Sequence, residues 1–270
     1  MVVALIIMLL IIIVAVIYVS LIMPRAVDGA DMELLCVDYA HRGLWNENVP
    51  ENSLAAFELA VREKYGIELD IQFSRDGRIV VFHDVTLKRM CGVERRVCDL
   101  TLAELKTLRL LGTNQQIPTL VEVLQLVDGR VPLLIELKGD DIDTTLCSRV
   151  AKILDNYGGA FCVESFNPMM LSWFKNYRPR YARGQLVTDF IKEKRRGNKF
   201  LSFLLSHMLL NFLSRPDFIA VHKKYQSKIS FKMCTGLFRA KAFVWTVRNP
   251  KEYMDAHRSG KYTIFEKFRP

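Results

Sequence analysis

The chain has 270 residues, half of them apolar, and its 38 Lys and Arg against 29 Asp and Glu leave nine net positive charges. This composition excludes a disordered or collagen-like chain, and the basic excess suits anionic partners such as phosphates or acidic lipid. There is no nucleic-acid-binding motif, so nucleic acid is not an expected partner. The six cysteines form no C-x-x-C pair, which argues against zinc. Most of the cysteines sit in apolar runs and read as small buried hydrophobes, leaning toward a reducing compartment. Only Cys91 and Cys98, seven apart, are placed to bridge.

Val2 to Met23 is apolar apart from Tyr18 and Ser20 and carries no charge, and its 22 residues suffice to span a bilayer. It lacks the basic start and A-x-A-like site of a secretory signal, so residues 1–24 are read as an uncleaved transmembrane anchor. A cleaved signal is the alternative. Arg25 just after the segment favours a cell-membrane protein whose folded domain, residues 34–270, is cytoplasmic, because Arg and Lys outweigh acids in setting topology.

Beyond the anchor, apolar runs alternate with helical patterns. Leu34–Ala40 reads as a first strand. Ser53 caps a helix over Leu54–Tyr65. Ile67–Phe73 and Ile79–Phe82 read as hairpin strands around Asp76-Gly77. Thr101-x-x-Glu104 and Thr119-x-x-Glu122 are capping boxes. Val131–Leu137 is a strand, Asp143–Tyr157 a helix and Phe161–Phe166 a strand. Gly184–Val187, Phe218–Val221 and Phe243–Val247 are further strands, and Pro250–Ser259 is a closing helix. This alternation implies a mostly parallel sheet, and about 250 residues is the usual size of an α/β barrel. Lys192–Arg196 is a basic run leading into Phe200–Leu213, which is too short to span a membrane. The plain expectation for that segment is a buried barrel helix. The alternative is a surface helix that touches anionic lipid or shapes an apolar entrance.

The hairpin gives the first chemical expectation. With Asp76-Gly77 as a two-residue loop, Asp70 falls opposite His83, and Glu68 shares that face because strands alternate. A carboxylate pair suited to a hard cation would then lie beside an imidazole suited to proton transfer.

His41-Arg42-Gly43, Pro50-Glu51-Asn52-Ser53, Glu68-Leu69-Asp70, His83-Asp84, Pro118-Thr119-Leu120, Glu136-Leu137-Lys138, Ser165-Phe166 and Trp245-Thr246 occur in this order. Together they resemble the glycerophosphodiester phosphodiesterase family, from about Cys36 to the carboxyl end. Two departures stand out. Ser53 takes the place of a usual threonine, and Ile264-Phe265-Glu266 takes the place of a threonine-aspartate, a change expected to touch no catalytic position.

The resemblance implies an α/β TIM-type (β/α)8 barrel with a small insertion after the second strand, here preceded by one transmembrane helix. It implies a divalent metal, Ca2+ or Mg2+, held by Glu68, Asp70 and Glu136, a hard oxygen donor set. His41 and His83 are the implied acid and base, with neither role assigned. Arg42 would hold phosphate oxygens and Lys138 would add charge. Phe166 and Trp245 would wall the substrate, and Glu51 is either a hydrogen-bond acceptor behind the site or a first-turn helix acid. His207, His222 and His257 lie outside the motifs and read as structural or exposed. The implied reaction converts a glycerophosphodiester to glycerol 3-phosphate and an alcohol. The alternatives are hydrolysis of lysophospholipids of the lysophospholipase D type and, in a different class, a phosphate-binding membrane scaffold.

Overall fold

The computed structural model describes residues 1–25, 30–139, 143–193 and 198–270. Within them the strands are β1 (Tyr39–Ala40), β2 (Gly66–Phe73), β3 (Ile79–Val81), β4 (Leu133–Leu137), β5 (Phe161–Ser165), β6 (Ala182–Val187), β7 (Phe218–His222), β8 (Lys241–Val247) and β9 (Tyr262–Phe265). All strand pairs are parallel except β2 with β3, and β1 pairs with both β2 and β9, which closes an eight-stranded barrel. Because the barrel strands are covered on both sides, they read as near-continuous apolar runs.

Two layers share the barrel interior. Tyr39, Leu134, Cys162, Phe218 and Phe243 pack the amino-terminal end, where Met32 and Leu35 of the helix Ala30–Leu35 plug the opening. Gly184 leaves room there for the Phe218 ring, which a β-carbon would overlap at 1.9 Å. The carboxyl end instead collects charged groups. A second apolar cluster packs the strands against the surrounding helices, among them Leu54–Arg62, Leu120–Val127 and Thr145–Leu154. Ser53, Thr101 and Thr119 cap their helices as their spacing predicts, each side chain accepting from a first-turn amide. The expected insertion lies between β3 and β4 and has its own core of Phe82, Leu87, Met90, Val97, Leu105 and Ile117.

Several expectations need correction. The first strand begins only at Tyr39, because Leu34 and Leu35 belong to a short helix and Asp38 is engaged by the amide and hydroxyl of Thr263. The hairpin pairs Ile71 with Val81 and Phe73 with Ile79, one residue away from the expected register. The loop is Arg75-Asp76-Gly77, with Gly77 at φ +70°, so Asp70 lies opposite Phe82, whose amide donates to its carbonyl. The helix Pro168–Tyr177 follows the N-cap Asn167 and was not foreseen. Cys91 and Cys98 are free thiols. Phe200–Leu213 is not a buried barrel helix: the helix Lys199–Ser206 exposes Phe200, Leu201 and Phe203. Of the basic run, residues 194–196 lie outside the described residues.

Candidate active site

Parallel register brings the acids together. Asp70 of β2 pairs with Glu136 of β4, which pairs with Glu164 of β5. Glu68 lies two residues before Asp70 on the same inward face. Ligand oxygens of Glu68, Asp70 and Glu136 all lie within 4.8 Å of one another, and all three residues are buried. The Lys138 ammonium, just past β4, contacts Asp70 Oδ1 at 2.8 Å and Glu136 Oε1 at 2.7 Å. Glu164 supplies a fourth carboxylate, and its buried Oε2 has no hydrogen-bond partner among the described residues.

This crowding sets the electrostatics. Burial and the neighbouring Asp70 and Glu136 raise the Glu68 carboxyl well above the usual range. Glu164 is likewise raised by burial and by Glu136. At Asp70 burial acts upward too, but Lys138, His83 and Arg42 outweigh it and hold the carboxyl low. Burial of four acids among so few cations leaves a deficit of positive charge that a hard divalent ion fits, and the all-oxygen donor set suits Ca2+ or Mg2+.

Two imidazoles flank the acids, and each is tethered to a carboxylate. His41 Nδ1 lies 2.6 Å from Glu266 Oε2, and its Nε2 lies 4.0 Å from Glu68. His83 Nδ1 lies 2.7 Å from Asp84 Oδ1. A carboxylate on Nδ1 makes that nitrogen the donor, which leaves Nε2 to exchange protons. Burial lowers the His41 pKa despite Glu266. The corrected register does not separate His83 from the acids. Past the end of β3 the chain carries the ring to the rim, where it lines one cavity of about 580 Å³ with His41, Glu68 and Glu136. Asp70 lies beneath, fully buried.

The His-Arg-Gly segment turns sharply. Arg42 has φ +59° and Gly43 has φ +81°, where a β-carbon would stand 2.9 Å from the Ala56 backbone. That turn aims the Arg42 amide at Glu68 Oε2 (2.8 Å) and its guanidinium at Glu51 (2.7 Å) and Asp70 (3.4 Å). Arg89 of the insertion grips both Glu51 and Asp84. Glu51 is therefore buried and held by two arginines. Phe166 and Trp245 meet edge to face with centroids 5.6 Å apart on the cavity wall, and His222, read as structural or exposed, lines the same cavity.

All ten residues singled out in the sequence thus meet at the carboxyl rim. Sequence reasoning missed Glu164, Arg89, Arg248 and Glu266. An acid in the apolar run Phe161-Cys-Val-Glu164 was a readable sign for Glu164. Arg89 carries no comparable sign. Glu266 corrects an expectation, since the departure at Ile264-Phe265-Glu266 does reach the site through the bond to His41. Arg248 Nε in turn donates to Glu266 Oε1 at 2.6 Å.

Buried acids in excess of the fixed cations, with carboxylate-tethered imidazoles beside them at the carboxyl end of a parallel barrel, define the class as that of the barrel phosphodiesterases. Within that class the chain belongs to the Glycerophosphoryl diester phosphodiesterase family, which residues 41–265 match. A glycerophosphodiester phosphodiesterase of Caldanaerobacter subterraneus is 36% identical over 160 residues, 54% of this chain and 65% of that protein. The match therefore spans just under two thirds of that relative. Bovine glycerophosphodiester phosphodiesterase 1 is 34% identical over 266 residues, 83% of this chain and 76% of that protein. The solved structure of an Oleispira antarctica phosphodiesterase, in complex with the product sn-glycerol-3-phosphate, shares the fold. It aligns with a TM-score of 0.71 at 23% identity over 87% of this chain and 94% of that one.

Proposed function

We propose that this chain hydrolyses glycerophosphodiesters to glycerol 3-phosphate and an alcohol, with a divalent cation held by Glu68, Asp70 and Glu136 and with His41 and His83 as the general acid–base pair. The observation that carries the reading is the convergence of three buried carboxylates and two carboxylate-tethered imidazoles, with all but the deeper Asp70 lining one cavity. When bound, the ion would neutralise the acids and draw charge from the phosphoryl oxygens. Lys138, already seated between Asp70 and Glu136, and Arg42 oppose the negative charge of the phosphate. Each imidazole donates its Nδ1–H to its carboxylate, so one Nε2 accepts the proton of the attacking oxygen and the other, protonated, donates to the leaving alcohol. Glu51 and Arg89 hold Arg42 and Asp84 in place and so position the charged groups. Phe166 and Trp245 exclude water from one wall.

The domain assignment is part of the same reading: residues 1–24 anchor and residues 34–270 catalyse. The helix Val2–Ile22 is long and apolar enough to cross a membrane. Hydrolysis of lysophospholipids is a second reading of the same site, favoured by the exposed apolar helix Lys199–Ser206 beside it. The deciding experiment incubates the full chain with glycerophosphocholine and lysophosphatidylcholine, each with Ca2+ and with Mg2+, and measures choline, glycerol 3-phosphate and lysophosphatidate. Absence of turnover on both substrates with both ions would overturn the assignment.

A further inference from the structure

We propose that the carboxyl rim of the barrel is itself seated on the lipid bilayer, so that the catalytic mouth opens toward the membrane. This rests on the anchor and hydrolase readings above. The first observation is the direction in which the helix Val2–Ile22 leaves the barrel. Its last turn is docked rather than joined by a linker. The Ile22 carbonyl accepts from Asn211 and Cys234, and the Met23 carbonyl accepts from Arg215. Arg25 then bonds Asp217 and the Pro179 carbonyl, beside the starts of β7 and β6. Tyr18, one turn earlier, packs against the barrel core beside Ser230, two residues after Lys228, whose ammonium pairs with Asp189 just past the end of β6. The helix therefore runs antiparallel to the strands, and its exposed residues 2–17 extend on the catalytic side.

The second observation is the helix Lys199–Ser206 on that same side. Its burial is inverted. Ser202 and Ser206 face inward, and the Ser206 hydroxyl accepts from the Phe190 amide, while Phe200, Leu201 and Phe203 are exposed by 68, 47 and 44%. Ile191, in the turn after β6, and Ile229, at the start of the short helix Ile229–Lys232, are exposed and extend the apolar surface. A soluble domain gains nothing from this inversion, whereas a helix lying in the lipid interface requires it.

Charge agrees. Lys192, Lys199 and Lys224 are exposed around the apolar residues, whereas Asp189 is paired with Lys228 and Glu193 accepts from Tyr225. Outward cations around an apolar patch suit anionic headgroups. The patch also continues into the site: Phe190 meets Phe166 edge to face, and Phe166 meets Trp245 of the cavity wall in the same way. A diester whose acyl chain stays in the leaflet would meet an unbroken apolar path to the acids.

The test reconstitutes the full chain into phosphatidylcholine–phosphatidylglycerol vesicles carrying brominated acyl chains. Phe200→Trp and Phe203→Trp are compared with Leu237→Trp, an exposed apolar position near the opposite, amino-terminal end of the strands. The expected result is that bromine quenches the fluorescence added at Phe200 and Phe203 but not that added at Leu237. Equal quenching at all three positions overturns the seating. The double variant Phe200→Ser/Phe203→Ser should lose on the order of tenfold in rate on vesicle-borne lysophosphatidylcholine. Its rate on soluble glycerophosphocholine should be unchanged, and an equal loss on both substrates also counts against the seating. Failure of the wild-type chain to float with vesicles sinks the anchor and the seating together. Rim quenching without turnover of either substrate leaves the seating standing and removes the hydrolase assignment.

Discussion

Glu266→Gln tests the most specific claim about the site, that a single acid fixes the proton inventory of His41. Glu266 holds two donors: Oε2 lies 2.6 Å from His41 Nδ1, and Oε1 lies 2.6 Å from Arg248 Nε. A carboxylate accepts from both. Glutamine has one carbonyl and one amide, and Arg248 can only donate, so the carbonyl must turn toward Arg248. The amide then faces His41 and donates to Nδ1. The ring proton is forced onto Nε2, so the ring can neither accept there as a base nor reach the imidazolium that a general acid needs. The variant keeps its shape but has the wrong tautomer. Loss of one general acid or base costs about 10²–10⁴ in rate, and kcat should fall by that factor with KM little changed. Choline release from glycerophosphocholine measures both constants, and thermal unfolding verifies the fold. Adding Arg248→Met removes the competing donor, lets the glutamine carbonyl turn to His41 and should restore about tenfold or more of the lost rate. A Glu266→Gln enzyme within about threefold of wild type, or a double variant no better than the single, would refute the tautomer argument.

Dialysis against a chelator should reduce turnover by orders of magnitude, with recovery on adding Ca2+ or Mg2+; Glu68→Ala should show the same loss without recovery. Full activity after exhaustive chelation would sink the metal role. Glu266 is pushed down to about 2 because His41 and Arg248 outweigh its burial. A depressed carboxylate contributes stability in full above its unfolded value of about 4.3 and loses it as pH falls toward 2. The melting-temperature gap between wild type and Glu266→Gln should therefore close across that window, and a pH-independent gap contradicts the pairing. Gly43→Ala meets both a positive φ and the Ala56 backbone at 2.9 Å, so chemical denaturation should show a loss of about 1–3 kcal/mol.

The sequence by itself determined the alternation of strands and helices, the capping boxes at Thr101 and Thr119, and the residue types at the site. These are local or periodic properties, written in nearest-neighbour preferences and in the spacing of apolar side chains. It also placed Glu68, Asp70 and Glu136 on strands, and alternation alone put the first two on one face. Tertiary structure decided the rest. The hairpin register turned on one extra loop residue at Arg75, which local propensity does not fix, yet His83 still reached the site because it lies beyond the ladder, where register no longer dictates direction. Arg89, Glu164 and Glu266 joined the site only through barrel closure and the folding of the insertion over the rim. The outward face of Lys199–Ser206 was also beyond the sequence, because an apolar helix reads alike whether protein or lipid covers it. Only the packing of Ser202 and Ser206 against the barrel left Phe200 and Phe203 on the outside.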